Sequence, residues 1–426
     1  MFRNAKTLFY LNQYFVIRLG EKVYKYNSQI ETLYVFRAFS TLVYNCFKLI
    51  SFKKNDAIKK KYKQIVYIET INQKNAIIDV FNAMNDKKET LFILNNQLKI
   101  DGFDSIYFNT RKQFLLSLLY FIKAFSISKK YISSHKKNIN GTHVLVNLSL
   151  LLASNKILEG YLKKTGCSKI ILTNDHNLIP ISLLLVSKRL KVTSYYIQHA
   201  SVSPAFPKLL PDVALLEGQQ AVDVYTEIGN LSRRIYLVGV SRLDGFLCFN
   251  KNKAKEELIV GFCLKPFYSK EIIDLIIQTI LSIKKVKKII LRPHPGDDLN
   301  FYNQFLTSDS IEISNSKIER PHDYLKKVSI IISGESSIIL EATLMKVKTY
   351  YIDDKVACFD LYGYIKNGIT TFVENVEFLP QHIEQLEENE IEQQYNNAKY
   401  YCSTVNTEYE NHSKELILRK LLVNDY

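Results

Sequence analysis

The stretch Leu291-Arg292-Pro293-His294-Pro295, followed about forty residues later by Ser333-Gly334-Glu335-Ser336-Ser337-Ile338-Ile339-Leu340-Glu341-Ala342, decides how this chain is read. Each piece places phosphate-seeking side chains where an apolar strand gives way to a turn. The second piece also opens a helix, and this is how an α/β domain builds an anion site. Together they suggest a site for a nucleotide sugar.

Working outward from that stretch, strands and helices alternate on both sides of it. Leu258 to Cys263 reads as a strand, Lys270 to Ile283 as a helix, and Lys288 to Arg292 as a strand stopped by the Pro-His-Pro. Val328 to Ile332 is the strand that stops at Ser333-Gly334. A helix over Glu335 to Leu344, a strand over Thr349 to Ile352 and terminal helices from about Gln381 and Tyr395 follow. The polar connector Phe249-Asn250-Lys251-Asn252-Lys253 precedes this domain and has the composition of a linker.

Upstream of the connector the same alternation is present. Gln64 to Ile71 and Thr90 to Leu94 read as strands around a helix over Asn75 to Asn85, and Ser105 to Lys130 and Asn147 to Lys164 are helical by period. Strands over Lys169 to Thr173, Thr193 to Ile197, Val213 to Leu216 and Arg234 to Val238 end in Asn174-Asp175-His176, Gln198-His199-Ala200-Ser201, Glu217-Gly218 and Gly239-Val240-Ser241-Arg242. Parallel sheets gather ligand groups at the carboxyl ends of their strands, so these endings are where polar chemistry is expected. The expected fold class is α/β, with two doubly wound Rossmann-type domains. The expected divisions are a basic, aromatic helical segment over 1–60, a first Rossmann-like domain over 61–250, a nucleotide-sugar donor domain over 255–380, and terminal helices over 381–426 that pack back on the first domain.

Composition narrows the function. The chain has 426 residues, 47% of them hydrophobic, enough for two or three ordinary cores. Its six cysteines include no Cys-x-x-Cys pair, which indicates neither a disulfide framework nor a zinc site. The apolar stretch near the N-terminus is broken by Asn12 and Gln13, unlike a secretory signal, and no uncharged apolar run reaches the about 18 to 20 residues of a membrane span.

The net charge of +15 is concentrated at one end. Residues 1–63 hold thirteen Lys or Arg against Glu21, Glu31 and Asp56, a net of +10, interleaved with Tyr and Phe. That mixture suits peripheral contact with an anionic membrane surface, and it equally suits a helical layer that packs its aromatics and leaves its lysines solvated. No recognition-helix or RNA-binding signature accompanies the charge, so nucleic acid is not the expected partner. The acidic run Glu384, Glu387, Glu388, Glu390 and Glu392 reads as a solvated helical face.

Two doubly wound domains with phosphate-seeking motifs in the second resemble the GT-B glycosyltransferases, in which two such domains face each other across a cleft. His294-Pro295 and Ser336-Ser337 are similar to the His-Pro and Ser-Ser motifs of bacterial sialyl-, polysialyl- and Kdo-type transferases. Arg292-Pro293-His294-Pro295 with Ser336-Ser337-Ile338-Ile339-Leu340-Glu341-Ala342 is also similar to the teichoic-acid and capsule polymerases that use CDP-glycerol or CDP-ribitol. Gln198-His199-Ala200 resembles the Gln-His-Gly turn of capsule and lipopolysaccharide transferases, and Val238-Gly239-Val240-Ser241-Arg242-Leu243-Asp244 resembles their Val-Gly-x-x-Arg-Leu-Asp segment. The resemblance covers roughly residues 165–355. It departs at Ala200, where glycine is usual. The acidic pair followed by glycine that supplies the sialyltransferase base is absent from the first domain, and Gly296-Asp297-Asp298 has the order reversed and lies in the second.

Sugar transfer from a nucleotide needs charge stabilisation on the departing phosphate, a base for the acceptor hydroxyl and a groove for the nucleoside. His294, fixed between two prolines, can donate to a phosphate oxygen. Arg292 offers a permanent charge in fork geometry, with Asp297 or Asp298 as its alternative partners. Gly334, Ser336 and Ser337 suit a phosphate at the helix start, Glu341 suits ribose hydroxyls, and Lys265 and Pro295 complete the expected binding set. His199 leads as the base, with Asp175 and Glu217 at neighbouring strand ends, and His176 lies beside Asp175. Each residue also has a structural reading, as a loop cap, a helix cap or a satisfied strand-end group. His135, His143, His322, His382 and His412 have no motif around them.

No Asp-x-Asp pair holds a divalent ion on a diphosphate, and Asp353-Asp354 reads as a loop, so neither a metal nor a cofactor beyond the substrate nucleotide is expected. The resulting expectation is a cytoplasmic transferase, peripheral on the inner face of a bacterial membrane. It would move a sialic-acid-like or Kdo-like sugar from a CMP donor to a surface glycan or glycolipid of capsule or lipopolysaccharide. Phosphotransfer from CDP-glycerol or CDP-ribitol, and epimerisation of a nucleotide sugar on the same architecture, are the alternatives.

Overall fold

The computed structural model describes residues 34–48, 58, 60–95, 98–134, 141–229, 231, 234–249, 258–265, 268–352 and 360–422. The expectations that fall on 1–33, on most of 49–59 and on Asp353-Asp354 lie outside the described residues. The chain forms two compact units. The first takes residues up to His199 with Pro204–Leu216 and Asp223–Tyr236, and the second takes Ala200–Ser203, Glu217–Val222 and Leu237–Tyr426.

The first sheet has seven strands: β1 (Gln64–Ile68), β2 (Thr90–Leu94), β3 (Asp104–Tyr107), β4 (Lys169–Leu172), β5 (Thr193–Ile197), β6 (Val213–Leu216) and β7 (Arg234–Leu237). They are ordered β3-β2-β1-β4-β5-β6-β7. β1, β2, β4 and β6 are buried along their whole length, as parallel strands covered on both faces are. Their apolar runs, rich in Ile, Leu and Val, are what such burial selects.

Helices α1 (Tyr34–Lys48), α2 (Ile71–Asn82), α3 (Thr110–Leu119), α4 (Phe121–Ser134), α5 (Gly141–Thr165), α6 (Leu178–Leu190) and α7 (Gln219–Ile228) accompany this sheet. The 25-residue α5 buries Val144, Leu145, Leu148, Leu151, Leu158 and Leu162, and α1, α3, α4 and α6 pack around it. The single helix expected over Ser105 to Lys130 is corrected. Its first residues form the edge strand β3, paired with β2 from Leu91↔Asp104 onward. The helix starts only after Asn109, whose side chain caps it by accepting from the Lys112 N–H at 2.8 Å.

The second sheet has six strands: β8 (Leu258–Cys263), β9 (Val286–Arg292), β10 (Ile311–Ile313), β11 (Ile330–Ser333), β12 (Lys348–Ile352) and β13 (Thr371–Val373). They are ordered β10-β9-β8-β11-β12-β13. Cores lie on both of its faces, one built on Ile331, Leu340, Leu344 and Tyr364, the other on Phe262, Ile277, Ile289 and Phe305. Helices α8 (Lys270–Leu281), α9 (Pro321–Leu325), α10 (Ile338–Leu344), α11 (Leu379–Glu384), α12 (Glu388–Asn397) and α13 (Ser413–Leu422) complete the unit.

Residues 237–249, grouped with the first sheet by the position of the polar connector, cluster instead with the second unit. The cause is a set of long-range hydrogen bonds. Asp244 accepts from the N–H groups of Ser413 and Lys414 at 3.0 and 2.7 Å, and Asn411 Oδ1 accepts from those of Gly245 and Leu247 at 2.9 and 3.0 Å. The terminal helices α11 to α13 belong to the same unit.

The acidic run is also more than a solvated face. Glu390 and Glu392 on α12 pair with the buried Lys348 and Lys346. Burial, set against Glu390, lowers the Lys348 pKa.

Candidate functional site

Both sheets have the winding of a doubly wound fold, so each has a switch point where successive connections leave in opposite directions. In the second sheet it lies between β8 and β11. Lys265 follows β8, Pro293 to Pro295 follow the adjacent β9, and Gly334 to Ser337 follow β11. The expected phosphate-seeking residues therefore leave the carboxyl ends of three neighbouring strands.

Their side chains face differently. His294 is exposed, and its Nδ1 accepts from the Gly296 N–H at 3.0 Å. In the neutral ring the proton is therefore on Nε2, which makes that atom a donor. The loop is held from beneath by Asp297, which accepts from the His294 N–H at 3.2 Å and the Tyr302 hydroxyl at 2.8 Å. Ser336 and Ser337 are half-buried; Ser336 Oγ accepts a long 3.5 Å bond from the Ile338 N–H, and Ser337 makes no capping bond with its side chain. Gly334 is buried, Pro295 and Lys265 are half-buried.

Arg292 turns into the domain. Its Nη1 donates to Ser314 Oγ at 2.7 Å and its Nη2 to the Glu319 carbonyl at 2.9 Å, while the Glu319 carboxylate lies 3.8 Å from Nη1. The guanidinium also sits over the Tyr324 ring, 4.8 Å from its centroid. The fork expected for phosphate is thus occupied within the fold, and Glu319 is the partner in place of Asp297 or Asp298.

Glu341 is buried and accepts from Arg242 Nε at 2.8 Å, while Arg242 Nη1 donates to the buried Glu217. Arg242 Nη2 is buried without a hydrogen bond. Glu217 is therefore a clamp on Arg242. Burial pushes its carboxyl above the ordinary value against the pull of Arg242, and the Arg242 pKa is raised, burial notwithstanding, by the two carboxylates.

The turn carrying Glu217 needs its glycine. A Cβ on Gly218 would lie 2.4 Å from the Tyr401 carbonyl carbon. At Gly239, φ is +74°, and a Cβ would meet Ser413 Oγ and Thr404 Oγ1 at 2.4 Å. The Val-Gly-Val-Ser-Arg-Leu-Asp segment is thus a structural knot: Gly239 admits close approach, Arg242 ties two carboxylates, and Asp244 holds the start of α13.

Reading residues by motif quoted Arg242 and Glu335 within their segments but gave neither a role. Glu335 accepts from the N–H groups of Leu361 and Tyr362 at 2.7 and 3.3 Å and from the Tyr351 hydroxyl at 3.1 Å. Burial, partly offset by these donors, raises its pKa. A lone carboxylate in a turn between two apolar runs was the available signal, since such a group needs donors when the turn is buried.

In the first sheet the switch point lies between β1 and β4. The residues beyond those strands bind one another. Asn177 Nδ2 donates to Glu69 at 2.7 Å, and Asn174 Oδ1 accepts from the N–H groups of His176 and Asn177 at 2.9 Å. His176 has Asp175 Oδ1 3.4 Å from Nδ1 and Asn174 Nδ2 3.1 Å from Nε2, so one tautomer, protonated on Nδ1, satisfies both nitrogens. The buried Asp175 keeps its Oδ2 without a partner. His199, half-buried, follows β5, and Ala200 avoids the left-handed conformation that glycine would have permitted. Among the described residues no three His, Cys, Asp or Glu side chains are grouped so as to hold a metal ion.

No family model matches the chain, and no curated protein matches it by sequence. Solved structures do match it in fold. S. aureus MnaA with UDP superposes with a TM-score of 0.53 at 13% identity, covering 86% of this chain and 98% of that one. UDP-GlcNAc 2-epimerase from Neisseria meningitidis, bound to UDP-GlcNAc, gives 0.51 at 13% identity, with 85% and 100% covered. The wall teichoic acid polymerase TagF, soaked with CDPG, gives 0.52 at 11% identity, with 92% and 99% covered. Identities of this size show the fold alone. The chain is an α/β protein of GT-B architecture, with one seven-stranded and one six-stranded parallel sheet.

Proposed function

We propose that this chain is a GT-B glycosyltransferase acting on a nucleotide sugar, with a CMP-activated 2-keto acid of the sialic or Kdo type as donor and a lipid-linked surface glycan as acceptor. The observation that carries this reading is the second sheet's switch point, flanked by Lys265 and Ser336-Ser337, with the exposed Nε2 donor of His294 one strand further along. A departing phosphate develops negative charge, and the positioned donors that lower its energy are of this kind. In this reading His294 Nε2–H donates to a phosphate oxygen, the Ser336 and Ser337 hydroxyls donate to others, and Lys265 supplies charge. Arg292 and Asp297 position the loop without touching the donor. The base for the acceptor hydroxyl is assigned to His199, with Asp175 as the second candidate; Glu217 and Glu341 are assigned to holding Arg242.

The test uses the purified full chain with a series of nucleotides and donors. A melting temperature raised selectively by CMP, together with CMP release from a CMP-linked sugar, supports the reading. Stabilisation by UDP alone, with interconversion of a UDP sugar, replaces it with the epimerase. Release of CMP from CDP-glycerol but not from a CMP sugar replaces it with phosphotransfer.

A further inference from the structure

We propose that helices α1, α3 and α4 form a docking surface for an anionic lipid bilayer. The observation is an inversion of ordinary helix patterning. In α3 the polar Gln113 and Ser117 are buried, Gln113 Nε2 donating to Ser154 Oγ on α5 at 2.6 Å and Ser117 Oγ to the Phe114 carbonyl at 2.6 Å. The leucines one turn apart on the other side, Leu115 and Leu119, face solvent, and Ile122 at the start of α4 continues their strip; Leu119 is 78% exposed and Ile122 81%. A surface helix normally does the reverse.

Helix α1 is apolar on its outer side as well. It buries Ala38 and Leu42 and exposes Phe36, Phe39, Tyr44 and Phe47, with Phe36 at 69% and Phe47 at 67%. At 100° per residue Phe36, Tyr44 and Phe47 fall on one side of the helix, away from Ala38 and Leu42, and Phe39 stands at the border between the two faces. Phe39 meets Phe121 edge to face at 5.4 Å, so the strips of α1 and α4 join there. Leaving this many large apolar side chains in water is unfavourable, and contiguous patches of this kind mark interaction surfaces.

Charge selects the occupant. Arg111, Lys112, Lys123 and Lys129 are exposed among these apolar residues. The sequence has no Asp or Glu in 34–48, and none between Asp104 and Glu159. Exposed apolar and aromatic side chains with cations among them match the boundary of an anionic leaflet, where each basic group adds to binding. A second copy would bring its own cations against these. Among the described residues no helix is long and apolar enough to cross a membrane.

The proposal does not depend on the donor assigned above. It is tested by co-sedimentation of the full chain with vesicles of phosphatidylcholine alone or mixed with phosphatidylglycerol. The expected result is binding to the mixed vesicles that weakens with salt. Leu119→Glu with Ile122→Glu lowers that binding at least tenfold with the melting temperature unchanged, because both side chains are already in water. Arg111→Gln with Lys112→Gln and Lys123→Gln weakens binding several-fold and flattens its salt dependence. Absence of binding, or equal binding by the Leu119→Glu, Ile122→Glu variant, overturns the proposal. So does a concentration-dependent dimer, seen by sedimentation velocity, that this variant dissociates.

Discussion

The first sheet is wound β3-β2-β1-β4 around its switch point and the second β10-β9-β8-β11, yet the residues beyond the strands are chemically unlike. After β1 and β4 come Glu69, Asn174, Asp175 and Asn177, an acid and amide network whose members mostly bind one another. After β8, β9 and β11 come Lys265, His294, Ser336 and Ser337, groups that favour an anion. Winding order fixes where a ligand group can stand, and the side chains fix which ligand is welcome. The two histidines show this at the level of one proton. His176 has both ring nitrogens occupied by its neighbours, whereas His294 has only Nδ1 engaged, by its own loop.

The largest expected effect breaks the comparison from inside the second unit. Arg242→Met leaves the carboxylates of Glu217 and Glu341 buried without their cation, and removing one partner of a buried ionic group costs about 3–5 kcal/mol. Chemical denaturation should show a loss of that size, largely restored when Glu217→Gln and Glu341→Gln are added. A loss below about 1 kcal/mol would mean that the two carboxylates do not need Arg242 to be held in the fold.

Next comes the contrast between the histidines. His294→Ala should lower turnover about 100- to 10,000-fold, the range of a positioned proton donor, with the melting temperature unchanged because the ring is exposed. His176→Ala should instead lower stability by about 1 kcal/mol, since Asp175 and Asn174 lose a partner. Similar turnover losses in both variants, at unchanged stability, would erase the distinction between the two edges.

A smaller effect belongs to the segment that ties residues 237–249 to the second unit. Asp244→Ala removes the acceptor for the N–H groups of Ser413 and Lys414, a capping loss of about 1 kcal/mol. Amide exchange in α13 should rise while exchange in β1, β2 and β4 stays as it was.

Several strands of both sheets were legible because buried parallel strands need apolar runs, and β2, β6 and most of β8 fall where those runs lie. The three-residue strands β10 and β13 carry too little pattern to be read, and β3 is half-exposed and runs into a helix. The exposure of His294 follows from local chemistry, a proline on each side and a tight turn beyond. The direction of Arg292 does not, since its partners Ser314 and Glu319 are distant in the chain. Glu217, Arg242 and Glu341 are likewise joined only by the fold. A strand-end motif therefore discloses position well and orientation poorly.

The orientation of Arg292 can be tested through pH, with the smallest expected effect. Burial pushes the Glu319 carboxyl up, but Lys327, Ser314 and Arg292 together outweigh it and hold its pKa below the ordinary value. A carboxyl whose folded pKa is depressed contributes stability that is present above its unfolded value of about 4.3 and is lost as pH falls through the folded value. The midpoint of urea unfolding should therefore decline below about pH 4. Glu319→Gln should flatten that acid limb and leave nucleotide affinity at pH 7 unchanged, because Arg292 would still be held by Ser314 and the Glu319 carbonyl. If Glu319→Gln instead tightened nucleotide binding, Arg292 would have been released toward the ligand. The inward arginine would then be one of two positions, and the second sheet's edge would carry more positive charge than its resting state displays.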